Sequence, residues 1–280
     1  MQKEAINYTP GRDKYLSARV LEVLPSLFGE RGKFVVGLYQ YLRWVDDVID
    51  EGQIPYLEKS HFLQRQMSLI KGGQSRDATE MERHLTQLPW RVVPQDQVRT
   101  QINILLHAIE EDMERANHLT PKKTREARHS NWRTIHPCLT GINLILNGRD
   151  IKATTDFMSF IDTFNDIASL SDLEEDAQLG LFNLPLSFDE VRSIQELPEQ
   201  ERRQAYSRLI SEDRFYKEKS RVWGKFLKHI PSVNKVNMPA WQKFLVICYA
   251  YEVYAKWHLR VKYPNSFRAQ LEPDLPSHPR

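Results

Sequence analysis

Along most of this chain, apolar residues recur at spacings of three and four, the period of a helix with one buried face. The stretch FVVGLYQYLRWVDDVID goes further: Leu38, Tyr39, Tyr41, Leu42, Trp44, Val45, Val48 and Ile49 surround most of the helix, as in one largely buried. Such runs predict helices near 12–24, 31–51, 56–71, 78–88, 95–118, 122–147, 151–177, 199–230 and 239–262. Pro25, Pro55, Pro89, Pro94, Pro121, Pro185, Pro198 and Pro231 fall mostly at or near these starts and ends, where a missing N–H costs least. No segment alternates apolar and polar residues between hairpin turns, so no strand is expected. No linker or repeat divides the chain. The expectation is an all-α fold and one helical domain over 1–280, with a core of about 12–270 and a loosely ordered Pro-rich tail at 271–280.

Two acidic stretches interrupt this pattern. The first is Asp46-Asp47-Val48-Ile49-Asp50; the second is Asp172-Leu173-Glu174-Glu175-Asp176. Each puts two carboxylates four residues apart, one turn above each other on a helix. Tyr39, Arg43, Asp46 and Asp50 fall within about 60° of one another, with Asp47 pointing sideways. Asn165, Ser169, Asp172 and Asp176 form a similar stripe, with Asp162 and Asp166 on its flank. A solvated helix end is the plain reading of either pair. Two acidic faces opposed in a helical bundle, however, repel unless cations fill the space between them. Mg²⁺ suits both carboxylate and phosphate oxygens, so the pairs suggest a grip on a diphosphate.

Composition narrows the classes. The chain has 280 residues, 41% hydrophobic and 27% charged, which is ordinary for a globular protein. A net charge of only +2 leaves no electrostatic footprint for nucleic acid. Cys138 and Cys248 lie in apolar stretches without metal-ligand spacing, and read as buried free thiols of a reducing cytoplasm. The polar opening MQKEAINYTPGRDK is no signal peptide, and no apolar run reaches the ~18 residues of a membrane span. A lipophilic substrate would allow at most peripheral membrane contact.

The stretches YQYLRWVDDVIDE and DLEEDAQLGLFNLP resemble the two aspartate motifs of the squalene/phytoene synthase family, the second down to its D-x-x-x-D-A-x-x-G-x-x-x-L-P skeleton. LSARVLEVLP is similar to that family's first helix, and AYEVYAKWHLRVKYPNSF to its last. The resemblance spans roughly residues 12 to 270. It implies an isoprenoid-synthase bundle around a central cavity. It also implies two or three Mg²⁺ ions on Asp46, Asp50, Asp172 and Asp176, with Tyr39 and Arg43 beside the diphosphate. The implied activity is prenyl transfer: an allylic diphosphate ionises, and the prenyl cation passes to an acceptor such as a second prenyl chain; transfer to an aromatic, non-isoprenoid acceptor is an alternative.

The chain departs from that family at Ala168, where Asn is usual, at Ser171, where Arg is usual, and through Trp132–Cys138, which replaces a Tyr-Cys-x-x-Val-Ala-Gly segment. These departures put head-to-head condensation of two identical substrates in question, and a cyclase acting on one prenyl diphosphate is the alternative. A scaffold without catalysis is the non-enzymatic one. Trp44, Tyr41, Phe160, Phe164, Trp132 and Tyr251 are candidate cavity walls for a carbocation. Arg43, Lys14, Arg19 and Arg268 are candidate diphosphate contacts. His136, just before a mid-helix Pro137, is either a base or a core histidine with one hydrogen bond. Glu110-Glu111-Asp112 reads as a solvated face.

Overall fold

The computed structural model describes residues 16–50, 54–73, 77–118, 120, 124–149, 155–171, 182, 186–210 and 213–262. These are all-α, with no strand among them. In order they are α1 (Leu16–Asp50), α2 (Tyr56–Ile70), α3 (Glu80–Gln87), a 3₁₀ turn (Trp90–Val92), α4 (Gln95–Asn117), α5 (Thr124–Asn147) and α6 (Thr155–Ser171). There follow α7 (Phe188–Gln195), α8 (Glu199–Ile210), α9 (Asp213–His229), a 3₁₀ helix (Ile230–Lys235) and α10 (Ala240–Lys262). The tail at 271–280 lies outside the described residues.

The hydrophobic period places the core in two clusters. The first gathers Phe34, Tyr41, Trp44 and Val45 of α1 with Leu63 and Ile70 of α2, Leu85 of α3, Ile102 and Leu106 of α4, and Leu144–Leu146 of α5. The second gathers Phe157, Phe160 and Ile161 of α6, Phe226 of α9, Val233 of the 3₁₀ helix and Ala250 of α10. Helix α5 joins them: its Ile135 and Leu139 pack on the second cluster, while its last turns enter the first. Each such buried aliphatic or aromatic side chain contributes on the order of 1.5–3 kcal/mol.

The break expected between residues 24 and 31 is a kink inside α1. Pro25 lies within the helix, and the backbone leaves helical geometry at Gly29 (φ 54°, ψ −128°), where a residue without Cβ meets no steric cost. Gly32 matters for space: a Cβ there would stand 2.1 Å from the Leu24 carbonyl oxygen.

Two stretches differ from expectation. Helix α7 was not foreseen, although Ser187 and Glu190 form a reciprocal capping box at its start. The span 199–230 is two helices, α8 and α9, rather than one. Helix α5 runs as expected, from Thr124 to Asn147, with Pro137 buried inside it.

Candidate active site

The C-terminal turns of α1 carry the first aspartate motif. Their apolar residues, Trp44, Val45, Val48 and Ile49, are buried in the first cluster, which fixes the rotation of the helix and hence where each carboxylate goes. Asp46 is half-exposed, its side chain 38% accessible, and Arg43 Nη1 donates to its Oδ2 at 3.3 Å. Asp47 is the carboxylate taken inside, at 3% exposure. It is held by the second guanidinium nitrogen of the same arginine, Nη2, at 3.0 Å from Oδ1. Burial of Asp47 gave no sequence signal beyond its place on the flank of the acidic stripe.

Asp50, the last residue of α1, lines a cavity of about 230 Å³ together with Ile49, Ile54, Tyr56, Lys59, Asp112, Met113, Ala116 and Asn117. Asp112, expected on a solvated face, thus shares a cavity with Asp50, and it is ion-paired with Arg115 at 2.5 Å. Glu111, its neighbour, is exposed and pairs with Arg133. Lys59 donates to the Ile49 carbonyl. Burial lowers the Lys59 pKa, and the negative charge of Asp50 works against that shift.

Other expected site residues scatter. Tyr41 and Trp44 have no exposure at all and belong to the core rather than to a cavity wall. The Tyr41 hydroxyl donates to Gln66 Oε1 at 2.9 Å, and burial raises its pKa strongly. Phe160 is buried in the second cluster; Phe164 is half-buried there against Phe160, Phe226 and Tyr249. Tyr251 faces outward, 51% exposed. His136 is half-buried with its Nε2 3.3 Å from Thr140 Oγ1. Tyr39 is half-buried on α1. Asn165 and Ser169 lie on α6, and Trp132 on α5. Asp172, Asp176, Lys14 and Arg268 lie outside the described residues.

The two cysteines are corrected by the structure: both are free and accessible, not buried. Local apolar composition misled because neighbouring residues, one 100° step away, take the inward face. The Cys138 thiol pKa is pushed up to about 11, first by the protein packed around it and second by the charge of Asp46. Helix α5 therefore presents Cys138 toward the Asp46 end of α1.

No group of three or more His, Cys, Asp or Glu side chains able to hold a metal ion occurs among the described residues. Nor is any described helix long and apolar enough to cross a membrane. No protein-family model, no curated protein and no solved structure matches this chain.

Proposed function

We propose that the protein is a Mg²⁺-dependent prenyltransferase of the squalene/phytoene synthase type, acting on an allylic prenyl diphosphate. The observation that carries this reading is the end of α1: Asp46 and Asp50 stand one turn apart where the neighbouring apolar residues are buried, one half-exposed and the other lining a cavity. Accessible carboxylate oxygens are the donor set a hard divalent cation takes, and Asp46 and Asp50 fit it. In the sequence, Asp172 and Asp176 directly follow Ser171, the last residue of α6, and they would supply the opposing pair. Bound there, Mg²⁺ would neutralise the diphosphate and make it a better leaving group.

The rest falls to the chain's own groups. Arg43 donates to diphosphate oxygens while Asp47 keeps its guanidinium in place. The carbon–oxygen bond breaks with its electron pair leaving on the diphosphate. The prenyl cation is captured by the π-electrons of the acceptor, which then loses a proton. Water must be excluded meanwhile, or the cation ends as an alcohol. Ala168 and Ser171, where the resembled family carries Asn and Arg, favour a second reading in which one prenyl diphosphate cyclises without an acceptor.

The test is diphosphate release from dimethylallyl, geranyl, farnesyl and geranylgeranyl diphosphates, with Mg²⁺ or with EDTA. An Asp46→Ala/Asp50→Ala variant runs beside the parent, and extracts go to mass spectrometry. Release that needs Mg²⁺ and is lost in the variant supports the proposal, and product mass separates coupling from cyclisation. No release with any substrate, with or without an added aromatic acceptor, favours the scaffold.

A further inference from the structure

Among the described residues lining the cavity at the end of α1, Lys59 is the one cation. Three helices supply the polar groups of that cavity: Asp50 comes from α1, Tyr56 and Lys59 from α2, and Asp112 and Asn117 from α4. Their charges are placed differently. Asp112 is paired with Arg115 at 2.5 Å. Lys59 is half-buried and donates to a neutral group, the Ile49 carbonyl. That bond holds its ammonium at the last turn of α1, against the residue that precedes Asp50.

An ammonium has three protons to donate, and the Ile49 carbonyl takes one of them. Keeping a cation among protein atoms costs free energy, and burial is the larger influence on the Lys59 pKa. The charge of Asp50 is the smaller, opposing one, so the carboxylate only partly compensates the lysine. An anion in the cavity would compensate it further. A divalent cation on Asp50 would take up the charge of that carboxylate and increase the demand for an anion. Diphosphate suits both partners: its oxygens bind magnesium, and they accept from a compact ammonium.

We propose that Lys59 is a substrate-binding residue, donating from the cavity wall to the diphosphate whose magnesium Asp50 holds. The inference rests on the reading of Asp46 and Asp50 as a magnesium–diphosphate site, and it adds a residue that lies in neither acidic stretch. Arg43 is engaged with Asp46 and Asp47, a turn before the Ile49 carbonyl that holds Lys59. The end of α1 is thus served by one cation from its own helix and one from α2. A lysine that did no more than cap the Ile49 carbonyl would stabilise the fold and leave ligand affinity unchanged. Affinity therefore separates the two roles.

The experiment titrates inorganic diphosphate with Mg²⁺ into the full chain, followed by calorimetry. The parent should bind. Lys59→Gln keeps a donor for the Ile49 carbonyl but carries no charge, and should weaken binding by about tenfold or more. Lys59→Arg keeps the charge and should bind more tightly than Lys59→Gln. Equal affinity of the parent and Lys59→Gln, with binding still lost in Asp46→Ala/Asp50→Ala, overturns this inference and leaves the magnesium reading standing. No binding by the parent overturns both. A second measurement needs no variant: the parent is acetylated with an N-hydroxysuccinimide ester, and each lysine is followed by mass spectrometry. Saturating magnesium diphosphate should slow labelling of Lys59 while leaving the exposed Lys225 and Lys228 as they were. Labelling of Lys59 that is indifferent to diphosphate overturns the proposal, even where Lys59→Gln does not fold.

Discussion

Arg43 and Asp47 form an ion pair of 3.0 Å across one turn of α1, with the aspartate side chain at 2% exposure and the arginine at 41%. The same guanidinium reaches Asp46 at 3.3 Å, so one cation serves a buried and an accessible carboxylate together. Loss of the arginine would take the guanidinium away from the buried charge. Arg43→Ala is expected to cost about 2–3 kcal/mol, less than a fully buried pair because water reaches Arg43. Asp46→Asn, at the exposed end, should cost under about 1 kcal/mol. Arg43→Lys should recover only part, since an ammonium cannot span both carboxylates. Urea unfolding of the three variants gives the order; equal costs for Arg43→Ala and Asp46→Asn would contradict it.

A second buried charge sits in the α1–α2–α3 core. Glu82 accepts from Arg65 Nε at 2.8 Å and Nη2 at 2.6 Å, from Gln66 Nε2 at 2.8 Å, and from the Thr79 N–H at 2.8 Å. Burial alone would raise its pKa, but these hydrogen bonds outweigh burial and hold it below the usual 4.5. A carboxyl whose folded pKa is depressed contributes stability that is present above the unfolded pKa. That stability is lost as pH falls through the folded value. Unfolding free energy should therefore fall on acidification below about pH 4.5, and Glu82→Gln should flatten that acid limb. Tyr41→Phe leaves Gln66 Oε1 without its donor and should cost about 1–2 kcal/mol at every pH. Thermal unfolding across pH separates the two effects.

At the kink of α1 the two glycines are needed for different reasons. Gly29 needs freedom of backbone, with φ at 54°, but has nothing within 4 Å of an added Cβ. Gly32 needs emptiness, because Leu24 and Pro25 backbone atoms occupy the place of a Cβ. Gly29→Ala should cost about 1–2 kcal/mol, since φ 54° with ψ −128° is backbone open to glycine but not to alanine. Gly32→Ala should cost more, about 2–3 kcal/mol, because rigid backbone has to move. The reverse order in chemical unfolding would mean that the kink is not held by the Gly32–Leu24 approach.

These particulars mark what the amino-acid pattern could tell. Periodicity alone located α2, α4 and α10 to within a few residues, since a buried stripe is written locally. The Ser187–Glu190 box was equally local and was passed over. Burial of Asp47 was not legible: a helical wheel places it beside Asp46 and Asp50 but does not say which flank packs against the core. Accessibility of Cys138 and Cys248 failed for the same reason, as apolar neighbours reveal that a helix is buried but not on which side. Tyr41 was read as a cavity wall because it is aromatic and near the motif; its partner Gln66, on another helix, is what makes it core. Asp172 and Asp176 lie outside the described residues.

The charge of Asp46 acts on the Cys138 thiol, which offers a way to probe the accessible end of α1 without substrate. The thiol is reachable by solvent, yet its pKa of about 11 leaves little thiolate at neutral pH, and thiolate is the form that reacts. Burial is the larger cause and would persist in any Asp46 variant. The Coulombic part would not. In a Cys248→Ser background with EDTA present, alkylation of Cys138 by iodoacetamide at pH 8 should be slow, and its rate should climb with pH without a plateau below pH 10. Asp46→Asn should speed it, because the part of the shift that comes from the aspartate charge goes with that charge. Asp50→Asn should leave the rate alone, because Asp50 faces the cavity beside Lys59 and is not among the causes of the shift. Equal acceleration by both substitutions would show a general negative potential rather than the specific approach of α5 to Asp46. No acceleration by either would place Cys138 away from the motif.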